Sequence, residues 1–364
     1  MLAVRARGMR AIPKGGCYSE VMTSRHQELD DNLRGEEAIV ALLAPLTEGD
    51  PGAFGLQDDC ALLAPESGTE LVLKTDPIAE GVHFLPGTAP EDIAWKALAV
   101  NVSDLAAKGA TPVGYLMALS FPNAPSRRWF TAFAAGLKEA QSRFGCRLLG
   151  GYTDRRPGPL TVSITAIGSV PKGRMVRRAT ARPGDTLFVS GTIGDAALGL
   201  ALLRHPGLAR DWLVSDWQIE APVQRYRRPE PRLALGPVLR EYASAAMDLS
   251  DGLVKDLDRM LRASGVAGCL RAADVPRSVT ANKFVAVAPD HQSDQRLALL
   301  ITAGDDYEVL AAVPPSRAPE FRADAAAAGV PVTDIGCVSA GAGLIVQGRD
   351  GRPLPLGRPG WDHF

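Results

Sequence analysis

Asn101-Val102-Ser103-Asp104-Leu105-Ala106-Ala107-Lys108 ends a stretch that reads as a helix over Pro90–Lys108. Pro90 suits a first turn. Asp92 and Lys96 stand at i,i+4, the spacing of a helical ion pair. Trp95, Ala97, Leu98, Ala99, Val100, Val102, Leu105 and Ala106 make most of the remaining surface apolar. Asn101, Asp104 and Lys108 then fall at i, i+3 and i+7 and form a polar stripe on a mainly apolar helix. A solvated face would account for such a stripe, but little else on this helix is polar.

Strands and helices alternate outward from it. Glu70–Thr75 reads as a strand before the helix and Val113–Ser120 as a strand after it. Ser126–Phe144 is a second helix. Arg147–Leu149 is a strand that ends at Gly150-Gly151, and Leu160–Val170 is a long β-branched strand. Ala38, Ile39, Leu42 and Leu43 make a short amphipathic helix upstream. Pro171–Pro183, rich in Arg, Pro and Gly, reads as a linker. A second α/β unit follows: strand Thr186–Ser190, turn Gly191–Gly194, helix Asp195–Arg204 and helix Asp251–Ala263. Gly348-Arg349-Asp350-Gly351 marks a hairpin, and Ala325–Ala328 is helix-forming. The fold class is therefore α/β (α+β). At roughly 150 residues per domain, 364 residues make two domains. We place them at 31–171 and 172–364, after a disordered extension over residues 1–30 or a true start near Met22.

Forty basic residues against forty-one acidic ones argue against a general nucleic-acid binder. Aromatic residues at 6% argue against a base-stacking surface. No apolar run approaches the roughly 18 residues that span a bilayer, and the basic start has no apolar core to make a secretory signal. The five cysteines are scattered and form no C-x-x-C pair, as expected in the cytoplasm. The five histidines are dispersed too, so a divalent metal would be held by oxygen, pointing to magnesium.

Carboxylates sit where apolar segments meet. Asp58-Asp59 opens the apolar run Cys60–Leu63, expected as a strand. Thr75-Asp76 ends the strand before the first long helix. Asp248-Leu249-Ser250-Asp251-Gly252 joins a small strand to a helix, where Asp or Ser is first of all an N-cap. Gly304-Asp305-Asp306-Tyr307-Glu308 follows Leu297–Ile301. A turn accounts for each alone. Together they point to one oxygen-ligand site for Mg²⁺ and polyphosphate. The sequence contains no G-x-x-x-x-G-K-[ST], G-x-S-x-G or H-E-x-x-H pattern.

In order along the chain, these segments resemble the thiamine-monophosphate kinases of the aminoimidazole-ribonucleotide synthetase superfamily. The likeness rests on Leu56–Leu63, Thr75-Asp76 with Glu80–Phe84, Asn101–Ala107, Gly150-Gly151, Val170–Arg174, Asp248–Leu253, Gly304–Glu308 and the closing Gly360-Trp361-Asp362-His363-Phe364. The resemblance implies transfer of the γ-phosphate of ATP to thiamine monophosphate. It implies a two-domain subunit whose N-terminal mixed sheet forms a barrel with that of a second subunit in a homodimer. The C-terminal α/β domain would carry the substrate-contacting tail. By matching position, Asp59, Thr75, Asp76, Asp104, Asp248 and Asp251 would hold several magnesium ions. Gly151, Arg178 and Ser250 would contact ATP, and His83, Asp305 and Trp361 would face thiamine. No residue is assigned as a chemical acid or base, since positioning and metal electrostatics suffice.

The chain departs from the family pattern. Tyr152 replaces an Asp of Gly-Gly-Asp-Thr, Lys74 stands where Ser or Thr is usual, Asp305 where Glu is common, and Gln57 where Gly is common. Lys74 is expected to stand in for part of the charge of one magnesium, and Asp154 to supply a replacement carboxylate. Two rival readings remain. One is another ATP-using member of the superfamily, close to selenophosphate synthetase through Lys14-Gly15-Gly16-Cys17. The other is a degenerate, non-catalytic nucleotide-binding dimer.

Overall fold

The computed structural model describes Asn32, Leu33 and residues 35–362. The expectations for residues 1–30, including the start near Met22 and Lys14–Cys17, lie outside the described residues, as do His363 and Phe364.

A four-stranded sheet is built from β1 (Thr69–Ala79), β2 (Thr111–Phe121), β3 (Arg147–Arg155) and β4 (Thr161–Pro171), in the order β1-β4-β2-β3. β4 runs antiparallel to β1 and β2, while β3 is parallel to β2. Helix α1 (Glu36–Leu43) precedes this sheet. Helices α2 (Pro90–Ala107) and α3 (Arg127–Phe144) pack against each other and share one core with the sheet's buried side chains, including Val72, Ile78, Tyr115, Met117 and Ile164. Ser126 caps α3 by accepting from Trp129 N at 3.1 Å.

A six-stranded mixed sheet follows: β5 (Thr186–Ser190), β6 (Ala245–Asp248), β7 (Ala267–Arg271), β8 (Val309–Val313), β9 (Val332–Ser339) and β10 (Gly343–Gln347). Its order is β10-β7-β9-β5-β8-β6. Helices α4 (Asp195–Arg204), α5 (Asp216–Arg227), α6 (Gly236–Tyr242), α7 (Leu253–Ser264), α8 (Val279–Ala286), α9 (Asp290–Thr302) and α10 (Ala318–Ala327) accompany it. Three apolar clusters fill this half.

Several expectations are corrected. Cys60–Leu63 is irregular rather than a strand. Asp58 Oδ1 accepts from Cys60 N at 3.3 Å, a local turn that competes with extended pairing. β3 does not stop at Gly150-Gly151 but runs to Arg155. A Cβ at Gly151 would fall 1.9 Å from the Met117 carbonyl oxygen, so glycine permits the close approach of β2. Asp92 and Lys96 do not pair with each other: Asp92 takes Arg228 at 2.5 Å, while Lys96 turns inward. Helix α7 begins at Leu253, with Gly252 rather than Asp251 or Ser250 at the cap position. The segment after β10 does turn back as expected, with Gly348 N donating to Arg352 O and Leu354 N to Val346 O.

Candidate active site

A cleft of about 1500 Å³ runs between the two halves. Nine of the twelve residues singled out from the sequence line it: Asp76, Asp104, Asp248, Asp251, Arg178, Ser250, His83, Asp305 and Trp361.

The polar stripe of α2 builds its floor. Asn101 is fully buried. Its Oδ1 accepts from Asp76 N at 2.8 Å, and its Nδ2 donates to Asp76 O and Ala97 O. This amide locks the end of β1 onto the helix and sets Asp76 beside Asp104. The Lys74 ammonium bridges the two carboxylates, 2.9 Å from Asp76 Oδ2 and 2.8 Å from Asp104 Oδ2. Partial burial opposes the Lys74 charge, but Asp104 and Asp76 outweigh it and hold the ammonium above its ordinary pKa. One turn along, Lys108 Nζ donates to Ala246 O at 2.8 Å. Asp248, at the end of β6, is buried, and burial together with Asp104 pushes its carboxyl well above the usual range. Such a group gains from added positive charge.

The loop after β6 is held by a residue that the sequence reading missed. Asp256 Oδ2 accepts from Ser250 N at 3.1 Å and Asp251 N at 2.9 Å. Its Oδ1 lies 2.9 Å from Arg259 Nη1, and the same guanidinium meets Asp251. Burial raises the Asp256 carboxyl to about 6. The available signal was an acid on the inward stripe of α7, flanked by Leu253 and Leu257.

Side chains of different chemistry line the same cleft beside this loop. His83 Nδ1 accepts from Ala79 N at 3.0 Å, which orients the ring at the cleft wall. Lys96, nearly fully buried, is the second missed residue. Its Nζ donates to His83 O at 2.9 Å and Asp305 Oδ2 at 3.0 Å, and lies 3.9 Å from the centroid of Tyr226. Asp305 has φ 70° and Tyr307 φ 49°. The Tyr307 hydroxyl donates to Asp305 Oδ1 at 3.2 Å. Gly304 must be glycine, since a Cβ there would meet Ser250 O at 2.3 Å. Trp361 closes this side: its N–H donates to Asp251 O at 2.9 Å, and its carbonyl accepts from Lys255 Nζ.

Three residues lie elsewhere in this chain. Thr75 points to the opposite face of β1, where its Oγ1 donates to Ile164 O and accepts from Thr165 Oγ1. Asp59 is exposed in the irregular segment before β1. Gly151 lies on β3, at the sheet edge farthest from β1, with Tyr152 exposed beside it. Tyr152 pairs with Ala118 and Asp154 with Ser120, so neither reaches Lys74 within one chain.

The cleft offers hard oxygen donors suited to magnesium. Among the described residues no three acidic, histidine or cysteine side chains gather closely enough to hold a metal ion alone. Donors in ones and twos fit an ion whose remaining ligands are phosphate oxygens and water.

Residues 57–170 match the N-terminal domain model of the AIR synthase related proteins, and residues 182–349 match the C-terminal one. The thiamine-monophosphate kinase of Caulobacter vibrioides is 43% identical over 327 residues, 89% of each chain. The crystal structure of that kinase from Stenotrophomonas maltophilia superposes with a TM-score of 0.72 at 34% identity, covering 92% of this chain and 96% of that one. AaThiL complexed with AMPPCP and TMP superposes with a TM-score of 0.70 at 31% identity, covering 91% and 97%. The chain belongs to the AIR synthase related proteins and, within them, to the thiamine-monophosphate kinase family.

Proposed function

We propose that this protein transfers the γ-phosphate of ATP directly to the phosphate of thiamine monophosphate, giving thiamine diphosphate and ADP. A phosphate oxygen of the acceptor forms the new P–O bond as the bond from γ-phosphorus to the β–γ bridging oxygen breaks in line. The observation that carries the reading is the convergence of carboxylates, a histidine and a tryptophan on one cleft. Asp76, Asp104, Asp248, Asp251, Arg178 and Ser250 share one cleft with His83, Asp305 and Trp361, and backbone hydrogen bonds join Asp305 to Ser250 and Trp361 to Asp251. A cationic thiazolium suits the carboxylate and the aromatic face. We assign the phosphates to the carboxylates Asp76, Asp104, Asp248 and Asp251, and thiamine to His83, Asp305 and Trp361. The acceptor is already an anionic nucleophile, so alignment and charge neutralisation carry the rate rather than a strong base.

Magnesium bound by the cleft carboxylates would neutralise charge on the transferring phosphoryl group. Arg178 and the backbone around Ser250 hold the nucleotide end, while Lys96 and Tyr307 fix Asp305 for the acceptor. We assign Thr75, Asp59 and Gly151 to surfaces completed by a second subunit. Leu71, Leu73, Leu116 and Tyr152 are exposed on the uncovered face of the four-stranded sheet, and β1 has one unpaired edge. A homodimer that joins two such sheets into a barrel would cover both. The cytoplasm fits a chain that draws on ATP and whose described cysteines are all free.

ADP release, measured by a coupled assay with thiamine monophosphate, with thiamine and with no acceptor, tests the reading. Release that requires thiamine monophosphate is expected. Equal release in all three reactions would overturn it, and no nucleotide turnover at all would favour the degenerate binding dimer.

A further inference from the structure

The cations of the cleft are not spread evenly over its acids. Arg259 serves Asp251 and Asp256 from within α7. Lys74 serves Asp76 and Asp104, which come from different elements, the end of β1 and the middle of α2. The side chain of Lys74 is about 29% exposed, and it lines the cleft itself. Val72, Lys74, Asp76 and Ile78 share the helix-covered face of β1, which sets the lysine on the same side as Asp76 and Asp104.

We propose that the Lys74 ammonium is a built-in monocation of the phosphate site, taking the place between Asp76 and Asp104 that a divalent ion would otherwise occupy. The proposal rests on the functional reading above, since it names the cation that faces the phosphates.

Geometry and charge carry it. Nζ–O separations of 2.9 and 2.8 Å are ordinary for an ammonium between carboxylates. An octahedral magnesium would need oxygens at about 2.0–2.1 Å. The two oxygens that face Nζ therefore serve one cation or the other, and a divalent ion beside the ammonium would face direct repulsion. An ammonium has three N–H donors and no acceptor. Two of them meet Asp76 and Asp104, and no protein acceptor within the described residues takes the third. That donor suits a phosphate oxygen of the nucleotide, which a metal would otherwise bridge. A lysine at this position fixes one positive charge at any magnesium concentration and gives up the second.

Lys74 also weakens the expectation that Asp154 compensates for Tyr152. Those two lie on the uncovered face at the far edge of the sheet, whereas Lys74 acts on the covered face at β1. Within one chain neither residue reaches the Asp76–Asp104 pair, which Lys74 bridges.

The test counts manganese ions bound per chain to the full-length protein with AMPPCP, by electron paramagnetic resonance and equilibrium dialysis. Wild type is compared with Lys74→Ser and Lys74→Met. Both variants should bind one more Mn²⁺ per chain than wild type. Lys74→Met excludes the explanation that a new serine hydroxyl supplies the ligand, and circular dichroism checks that each variant folds. Equal counts in wild type and both variants would overturn the proposal. An extra ion in Lys74→Ser alone would also overturn it, because the hydroxyl rather than the missing ammonium would be responsible. No acceptor is present, so the count does not depend on the identity of the acceptor: ADP release that ignores thiamine monophosphate would sink the functional reading while leaving the count intact.

Discussion

Lys96 Nζ lies 3.0 Å from Asp305 Oδ2, across 209 residues of sequence and across the cleft's seam. The lysine comes from the helix behind the four-stranded sheet, and the aspartate from the loop before β8. The same ammonium holds the carbonyl of His83. One buried cation thus fixes two of the three residues assigned to the acceptor end.

Lys96→Met should therefore act on the acceptor more than on the nucleotide. KM for thiamine monophosphate should rise about tenfold, the equivalent of 1.4 kcal/mol, with a much smaller change for ATP. Removing one partner of a buried ion pair should also lower stability, on the order of 3 kcal/mol. Steady-state kinetics with each substrate varied in turn would show this. Equal increases in both KM values would mean that Lys96 supports the fold alone.

Asp104→Asn and Asp251→Asn remove charge from the nucleotide end while preserving shape. Each should lower kcat by roughly a hundredfold or more, as loss of a preorganised electrostatic contact does. The fold should persist, because both carboxylates face the cleft rather than the core. Near-normal turnover in both variants would remove these residues from the phosphate site.

Much of this site was legible because strand ends and helix stripes follow short-range rules. Asn101, Asp104 and Lys108 could be set on one face by helical spacing alone; Asp104 and Lys108 line the cleft, and Asn101 is buried beneath it and holds Asp76. Asp76, Asp248, Ser250 and Asp251 were placed by their position at strand ends. The i,i+4 rule misled at Lys96, whose spacing from Asp92 fits a surface pair equally well. Its true partner lies in the other half of the chain, and local pattern carries no information on such pairing. Asp256 was missed for a related reason: a capping role was sought before the helix, but the carboxylate that binds the loop N–H groups sits in its first turn. The strand predicted at Cys60–Leu63 failed because apolar composition there is outweighed by local turn chemistry at Asp58. Asp59 and Thr75 stood at junctions that the residue pattern singled out and Gly151 was found by resemblance, and their positions in a single chain show why spacing alone would not join them to the cleft.

Trp361→Ala and His83→Ala should raise KM for thiamine monophosphate more than KM for ATP. Trp361 is about half exposed at the cleft mouth, so its loss should leave the melting temperature nearly unchanged. Loss of an aromatic face from a cationic ligand is worth about 1–2 kcal/mol, or roughly five- to thirtyfold in affinity. Isothermal titration with the acceptor alone would measure it. A selective fall in nucleotide affinity would mean that the two ends of the cleft are assigned the wrong way round.

Asp306 provides a pH-dependent test of the loop that carries Asp305. Its side chain is almost fully buried. Oδ1 accepts from Gly194 N at 2.9 Å, while Oδ2 has no hydrogen-bond partner among the described residues. Burial pushes this carboxyl well above its usual range; the Gly194 N–H and Arg225 only partly oppose it. A carboxyl whose folded pKa exceeds its unfolded value stabilises the fold fully below the unfolded pKa, near 3.9. That contribution is lost as pH rises through the folded pKa. Asp306→Asn keeps an acceptor for Gly194 and removes the buried charge, so its stability relative to wild type should improve as pH rises. The gain between pH 5 and pH 8 should be no more than about 1.4 kcal/mol per pH unit, the linkage limit for one titrating group. Urea denaturation at the two pH values measures it directly. A variant that loses the same stability at both, or more at pH 8, would show that Asp306 is held as a charged, compensated carboxylate.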